Sequence, residues 1–376
     1  MASLNTEILI IGGGVIGLSI ARALYKRGVR EITVIDKGRV GGEASWAAAG
    51  MLAPNAETHQ ADAFFRFCTA SNTLYPDFAA ELLDETGIDV ELDRSGTLYL
   101  AFDEAEKAAI DKKYKWQKTA GIEVASLSSE EVLALEPMVS PEVIAGLFYP
   151  SDWQVENRKL ITALRRYAEL NGINVIENSP VSELIVNHNR VVGAITADAK
   201  INAGATILTA GAWTSGLLPN KFEIKPIRGQ MISFDAPERP LNCVIYSPRG
   251  YVVPRADGRV LAGATVEDAG FNKEVTADAI TSLRDAALEI SPVFANFDIK
   301  GSWCGLRPAA ADELPVIGRP AGIDGLMLAT GHYRNGILLA PITAQMVADE
   351  VALGITSEYF REFSPDRFAK AGTATP

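Results

Sequence analysis

The sequence predicts an α/β chain: a Rossmann-like nucleotide domain that is discontinuous in sequence, and a second domain with a large antiparallel β-sheet. Three observations support this fold class. Residues 8–36, ILIIGGGVIGLSIARALYKRGVREITVID, read as strand, glycine turn, helix and second strand, ending in a carboxylate. Buried-strand patterns recur at residues 205–209 and 325–330, in the middle and near the end of the chain. Between them, much of residues 227–303 alternates with period two, as half-buried antiparallel strands do.

Gly12, Gly14 and Gly17 form G-x-G-x-x-G directly after the apolar run at 8–11. The first glycine permits the tight turn and the second lets backbone approach a pyrophosphate. The third allows the helix to pack close to the strand. The helix over 15–27 then presents unpaired N–H groups and a positive dipole end to phosphates, and Gly28 is its C-cap. Asp36 stands where a carboxylate accepts hydrogen bonds from an adenosine ribose. The motif fits a dinucleotide but does not say which one.

Residues 43–55, EASWAAAGMLAPN, are small and apolar, which suits backbone passing against a flat ligand or, equally, the start of a buried helix. Residues 62–87 and 103–121 carry apolar side chains at helical spacing, and 94–101 alternates as a strand. Asn157 is read as the cap of a helix over 158–170, with Leu160, Ile161, Leu164 and Tyr167 on one face. A strand at 173–176, a hairpin of 181–186 with 191–196, and the turn Ala210-Gly211-Ala212-Trp213 follow, the turn suiting a second nucleotide contact. Strands at 230–234, 251–255 and 259–265 come next, with Asp257-Gly258 as a tight turn. After the strand at 325–330 and the turn GHYRNG, a long helix is expected over 337–353, and the tail beyond about 364 is polar and small.

At 376 residues the chain is long enough for two domains with an ample core, and 48% hydrophobic with 22% charged residues is ordinary for a soluble globular protein. A net charge of −12 argues against a nucleic-acid surface. Cys68, Cys243 and Cys304 make no disulfide framework, and they and the three histidines show no metal-ligand spacing, so no metal is expected. No signal peptide or membrane-length apolar stretch is evident, and a reducing cytoplasm is the expected location.

The segments GGGVIGLSIARAL…VID, SWAAAGML, ILTAGAW, GYVVPR, GLRP and GHYRNGILLAP, in this order, resemble flavoproteins of the D-amino-acid-oxidase superfamily. Among these, the combination is closest to bacterial glycine oxidases of the thiazole-biosynthesis type. The resemblance implies a glutathione-reductase-type FAD domain at 1–88, 155–225 and 306–364, and a substrate domain at 89–154 and 226–305, with 365–376 as tail. It implies noncovalent FAD in an extended pose. Gly12, Gly14, Val15, Ile16, Gly17, Asp36 and Lys37 would serve the pyrophosphate and adenosine ribose. Val181 would meet adenine, and Gly211 lies in the second nucleotide turn. Ser45, Ala48, Ala49, Gly50 and Met51 would lie along the isoalloxazine, and Arg334, Asn335, Gly336, Ile337 and Leu338 at its pyrimidine edge. A helix N-terminus at 336–338 would stabilise negative charge on that edge.

Arg307 is the candidate clamp for a substrate carboxylate, because a guanidinium fork matches a carboxylate bidentately; its alternative is an ion pair with Asp312 or Glu313. Tyr251 would add a second hydrogen bond, with Tyr246, Met51 and Arg334 lining the same pocket. No general base is required if a neutral amine loses its α-hydrogen as hydride. Cys304 precedes GLRP where related sarcosine oxidases link FAD covalently; a glycine-oxidase-like enzyme does not need that link. Arg249 is expected to face solvent or to widen preference toward acidic substrates, and His332 to be structural rather than a base. The activity implied is oxidation of glycine, with sarcosine and small D-amino acids, by O2 in a homotetramer, without membrane or nucleic-acid partners. A quinone-linked D-amino-acid dehydrogenase, a sarcosine-oxidase-like enzyme and a non-catalytic flavin-binding protein are the alternatives.

Overall fold

A computed structural model describes residues 2–218 and 223–368. Strand Ala2–Ile11 lies at the centre of the first sheet, parallel to Ala199–Leu208 on one side and to Ile32–Ile35 on the other. Leu326–Thr330 and Asn174–Ile176 extend this parallel core, while Val316–Gly318 and the hairpin of Val181–Asn187 with Arg190–Thr196 add antiparallel strands. Parallel strands buried on both faces need near-continuous apolar runs, and Ile8, Leu9, Ile10 and Ile11 are all buried.

The turn after Ile11 depends on its glycines. Gly12 sits at φ +110°, where a side chain would be strained. A Cβ on Gly17 would come within 2.0 Å of the Gly12 carbonyl oxygen, so helix Val15–Lys26 is pressed against the turn as only glycine allows. The Thr209 hydroxyl, from the end of the neighbouring strand, donates to the same Gly12 oxygen at 2.6 Å. This helix packs against helices Asn157–Leu170 and Ala340–Leu353, and their apolar faces form the largest core.

The second sheet is mostly antiparallel. Strands Ile224–Asp235 and Ile299–Ala310 pair from Ile224 opposite Ala310 to Phe234 opposite Ile299. Beyond them lie Arg259–Gly263, Gly250–Pro254, Val244–Ser247, Thr97–Ala101, Ala145–Tyr149 and Ala125–Ser128, in that order. The hairpin at Asp257-Gly258 forms as its sequence dictates, with Gly258 at φ +89°. Helix Ala277–Ile290 covers one face, and Leu283, Ala287 and Ile290 join the core of this sheet. The small-residue segment runs between the sheets as a short helix, Ala44–Ala47, and a strand, Met51–Leu52, paired with Trp153–Gln154.

Two local expectations are corrected. The last helix begins at Ala340, not at 337, because residues 336–339 form a turn that ends in the Leu339 N–H to Asn335 O bond of 2.8 Å. The cap of helix Asn157–Leu170 is Glu156, whose carboxylate accepts from Arg158 N–H at 3.1 Å. Asn157 instead donates to the Ser45 and Trp46 carbonyls, tying the helix to the small-residue segment. Val15–Lys26 and Ala63–Thr86 fall within two residues of their expected bounds.

The Gly17 contact yields a prediction. Gly17→Ala should destabilise the protein by about 1–3 kcal/mol, the usual cost of overpacking a rigid contact, and weaken nucleotide retention; urea unfolding and equilibrium dialysis check this.

Candidate active site

A cavity of about 430 Å³ runs from the glycine turn, past the small-residue segment, to the junction of the two long antiparallel strands. At its first end Asp36 accepts the Gly13 N–H at 2.8 Å and the Gly38 N–H at 2.9 Å, which fixes the carboxylate at the strand end. Gly12, Gly14, Val15 and Ile16 line this end, and the Ser45 hydroxyl accepts the Val15 N–H at 3.0 Å. Lys37 packs 3.7 Å from the Trp213 ring centroid and pairs with Glu43 at 2.8 Å. Val181 and Gly211 are also in the wall, and a Cβ on Gly211 would meet no atom within 4 Å.

The middle of the cavity is floored by Ala48, Ala49, Gly50 and Met51. This stretch is held from behind: Trp303 Nε1 donates to Ala47 O at 3.0 Å, Arg255 Nη2 to Ala49 O at 2.7 Å, and Val155 N–H to Gly50 O at 2.9 Å. Gly50 has φ +71°, and a Cβ there would lie 2.0 Å from Val155 O. Across the cavity, the N–H groups of Gly336, Ile337 and Leu338 have no backbone acceptor among the described residues; the bonds on either side of them are Asn335 N–H to His332 O and Leu339 N–H to Asn335 O, both 2.8 Å. Asn335, Gly336 and Ile337 line the cavity. Leu338 does not; its side chain is buried in the core and its carbonyl accepts from Ser71 at 2.6 Å. Gly17 likewise lies outside the wall and contributes only the close packing described above.

Arg307 reaches the far end from strand Ile299–Ala310. A Cβ on Gly229, in the paired strand, would sit 2.1 Å from Arg307 Nη1, so that glycine makes room for the guanidinium. Nη1 donates to Thr265 O at 3.0 Å. The alternative ion pair does not form: Asp312 binds Arg367 at 2.7 Å, and Arg307 makes no ion pair among the described residues. The Tyr251 hydroxyl donates to Met231 Sδ at 3.3 Å. Burial pushes its phenol up, with Arg307 pulling the other way, so it remains a protonated donor at neutral pH. Tyr246 stacks between Tyr251, at 6.1 Å, and Tyr99, at 5.2 Å. Met51 and Arg334 also face this end.

Glu57 was not foreseen. It lines the cavity half-buried, and burial raises its carboxyl while Arg334, Arg307 and Lys113 lower it. Its loop is fixed by the buried Asp152 carboxylate, which accepts from Asn55 N–H at 3.1 Å, Asn55 Nδ2 at 2.7 Å and Ala56 N–H at 2.7 Å. A single glutamate in a polar loop carries no periodic or motif signal.

Arg249 and Cys304 lie outside the cavity, whereas His332 is part of its wall. Arg249 faces Glu289 at 2.8 Å and Glu106 at 3.4 Å and lies outside the cavity, so its expected influence on substrate preference has no geometric basis. Cys304 points its thiol at Lys273 O, 3.0 Å away, and is not in the cavity wall. His332 is buried, with Nε2 3.2 Å from the Thr343 hydroxyl, and burial pushes it down to about 3. So weak a base is neutral and structural. Among the described residues no group of three His, Cys, Asp or Glu side chains is placed to hold a metal, and no helix is long and apolar enough to cross a membrane.

The model of the FAD dependent oxidoreductase family, DAO, matches residues 7–350. The chain belongs to that family. Within it, the chain is 32% identical to a glycine oxidase of Pseudomonas putida, with 92% of this chain and 94% of that one covered. It is 36% identical to the bifunctional protein ThiO/ThiG of Trichormus variabilis over 99% of this chain. The chain spans 57% of that relative's length and so corresponds to little more than half of it. The solved glycine oxidase of Geobacillus kaustophilus superposes with a TM-score of 0.91 at 32% identity, covering 97% of this chain and 99% of that one. The cavity fits the family's cofactor: a glycine turn with a fixed carboxylate at one end, the small residues Ala48, Ala49 and Gly50 in the floor, and the Gly336 and Ile337 amides, without a backbone acceptor among the described residues, along the opposite edge.

His332 gives a pH prediction. Its folded value of about 3 lies below the unfolded value of about 6.5, so its contribution to stability is complete above pH 6.5 and is lost as pH falls toward 3. From pH 7.5 to 5 this amounts to about 2 kcal/mol of lost stability. His332→Gln, which keeps a partner for Thr343, should abolish that loss, as denaturant titrations at the two pH values check.

Proposed function

We propose that this protein oxidises glycine, and with it sarcosine and small D-amino acids, to the imine, using noncovalently held FAD and O2. The observation that carries the reading is Arg307, a guanidinium without an ion-pair partner among the described residues, at the end of the cavity opposite the glycine turn and beside the Tyr251 hydroxyl. Bound FAD supplies a hydride acceptor and, with O2, the route to H2O2.

The chain's own residues position the substrate. The Arg307 fork takes the substrate carboxylate, and the protonated Tyr251 hydroxyl turns from Met231 to donate to the same group. With the carboxylate fixed, the α-carbon lies against the segment from Ala48 to Met51, where the isoalloxazine is assigned. Tyr246, Met51 and Arg334 wall this space, and the stack of Tyr99, Tyr246 and Tyr251 leaves little room for a large side chain. No residue acts as base, consistent with the neutral, engaged His332. The substrate enters with its amine deprotonated, and the lone pair forms the imine as the α-hydrogen leaves with its electron pair. Water then gives glyoxylate and ammonia, or the imine passes to thiazole formation.

Gly12, Gly14, Val15, Ile16, Asp36 and Lys37 are assigned to the pyrophosphate and adenosine ribose, Val181 to adenine, and Gly211 to the second nucleotide contact. Ser45 belongs with the segment along the isoalloxazine, and Asn335, Gly336 and Ile337 present their backbone to its pyrimidine edge. The placement of Cys304 supports noncovalent attachment. The FAD domain comprises 1–88, 155–225 and 306–364 and the substrate domain 89–154 and 226–305; the two long strands Ile224–Asp235 and Ile299–Ala310 run through the boundaries. A cytoplasmic homotetramer completes the proposal.

With purified protein and FAD, each glycine consumed should yield one glyoxylate, one ammonia and one H2O2. Arg307→Leu should raise the KM for glycine about 100-fold, the scale of a lost charged hydrogen-bond pair, while FAD stays bound. kcat/KM should rise with pH as the substrate amine deprotonates. Consumption of glycine without peroxide, or an unchanged KM in the variant, would contradict the assignment.

A further inference from the structure

The GYVVPR segment ends in an arginine that substrate binding does not use. Arg255 is 3% exposed and follows strand Gly250–Pro254. Nη1 donates to Gln154 Oε1 at 3.0 Å and Val155 O at 2.7 Å, and Nη2 to Ala49 O at 2.7 Å and Asn157 Oδ1 at 3.2 Å. All of these acceptors are neutral. The nearest carboxylate, Glu156, stands 3.9 Å from Nε and is held more closely by Arg259, at 2.8 Å. Arg255 Nε has no hydrogen-bond partner among the described residues. Glu91, Arg158 and Arg259 also bear electrostatically on this guanidinium. Burying a loosely paired charge is costly, and neutral donors could tie the same carbonyls. The charge itself therefore calls for a role.

The Ala49–Gly50 peptide supplies one. The bond is trans, so the Gly50 N–H points away from the carbonyl that Arg255 holds. A Cβ on Gly50 would meet Val155 O at 2.0 Å and Arg255 Nη2 at 3.1 Å, which puts the guanidinium behind the residue, while Gly50 itself lines the cavity. The Gly50 N–H has no acceptor among the described residues.

We propose that Arg255 is a positioning residue that acts through this one peptide: its buried charge polarises the Ala49–Gly50 amide and so strengthens the Gly50 N–H as a donor to the isoalloxazine. Hydrogen bonds in series reinforce one another, and a cation behind the donor adds to the effect at low dielectric. The consequence is a preference for the reduced cofactor, whose added negative charge the amide and the cation both favour. The proposal rests on the placement of the isoalloxazine along Ala48–Met51.

The test is the midpoint potential of bound FAD, measured by dithionite titration against a reference dye, with FAD affinity and apoprotein Tm alongside. Arg255→Gln keeps a donor but no charge and should disfavour reduction about tenfold, a midpoint about 30 mV lower for the two-electron couple. Arg255→Lys should stay within about twofold of the parent equilibrium. Glu156→Gln removes the opposing charge and should raise the midpoint, so a charge effect changes sign between the two sites. An unchanged midpoint in Arg255→Gln, with only FAD affinity and Tm reduced, would mean a purely structural arginine and overturn the proposal. If Arg255→Gln does not fold, an unchanged or lowered midpoint in Glu156→Gln overturns it equally. No step uses glycine, so failure of glycine to reduce the parent protein would count against the proposed substrate and leave this result standing.

Discussion

The close approach of Gly17 to Gly12 sets the geometry on which the cavity depends. A single Cβ at Gly17 would collide with the Gly12 carbonyl oxygen at 2.0 Å and crowd the Thr209 hydroxyl, which donates to that carbonyl, at 2.8 Å. The helix therefore starts directly at the turn, and Gly14, Val15 and Ile16 at its start line the cavity. Strands 2–11, 32–35 and 199–208 are registered around this point, so Asp36, Ser45 and the 211–217 turn converge there. From that anchor an extended dinucleotide has one direction to run, along the floor of small residues.

The far end works by a different principle. A chain of net charge −12 gathers Arg307 and Arg334 at one end of its cavity, with Glu57 as the facing carboxylate. Asp312 is diverted to Arg367, and Arg249 is absorbed by Glu106 and Glu289. Arg307 thus makes no ion pair among the described residues, as its proposed role requires. Buried Tyr251 stays protonated and His332 stays neutral, while burial raises the Glu57 carboxyl against the pull of Arg334, Arg307 and Lys113. That arrangement suits chemistry in which position, not proton transfer, does most of the work.

Much of this was legible in the sequence, because it rests on local rules. The glycine spacing, the period-two strands and the Asp257-Gly258 turn express backbone constraints that act over a few residues. Arg307 and Tyr251 could be named from their segments, but the lack of an Arg307 ion pair among the described residues depends on where Arg367 folds, some sixty residues away. Glu57 and Arg255 were hidden for the same reason: each matters through what distant strands bring beside it. The late start of the last helix, at Ala340 instead of 337, reflects competition between helical periodicity and a turn that leaves the Gly336 and Ile337 amides at the cavity without a backbone acceptor among the described residues. Asn157 was a sound cap by propensity, yet the Ser45 and Trp46 carbonyls claimed its side chain and Glu156 took the cap.

The central claim is that one continuous cavity brings glycine, held by Arg307, against a flavin anchored at Gly12 and Asp36. Anaerobic addition of glycine to the FAD-loaded protein tests this most directly, because it needs no later step of the reaction. The yellow absorbance should bleach, and it should return with formation of H2O2 when air is admitted. Protein that holds its FAD but keeps its colour at saturating glycine would contradict the claim.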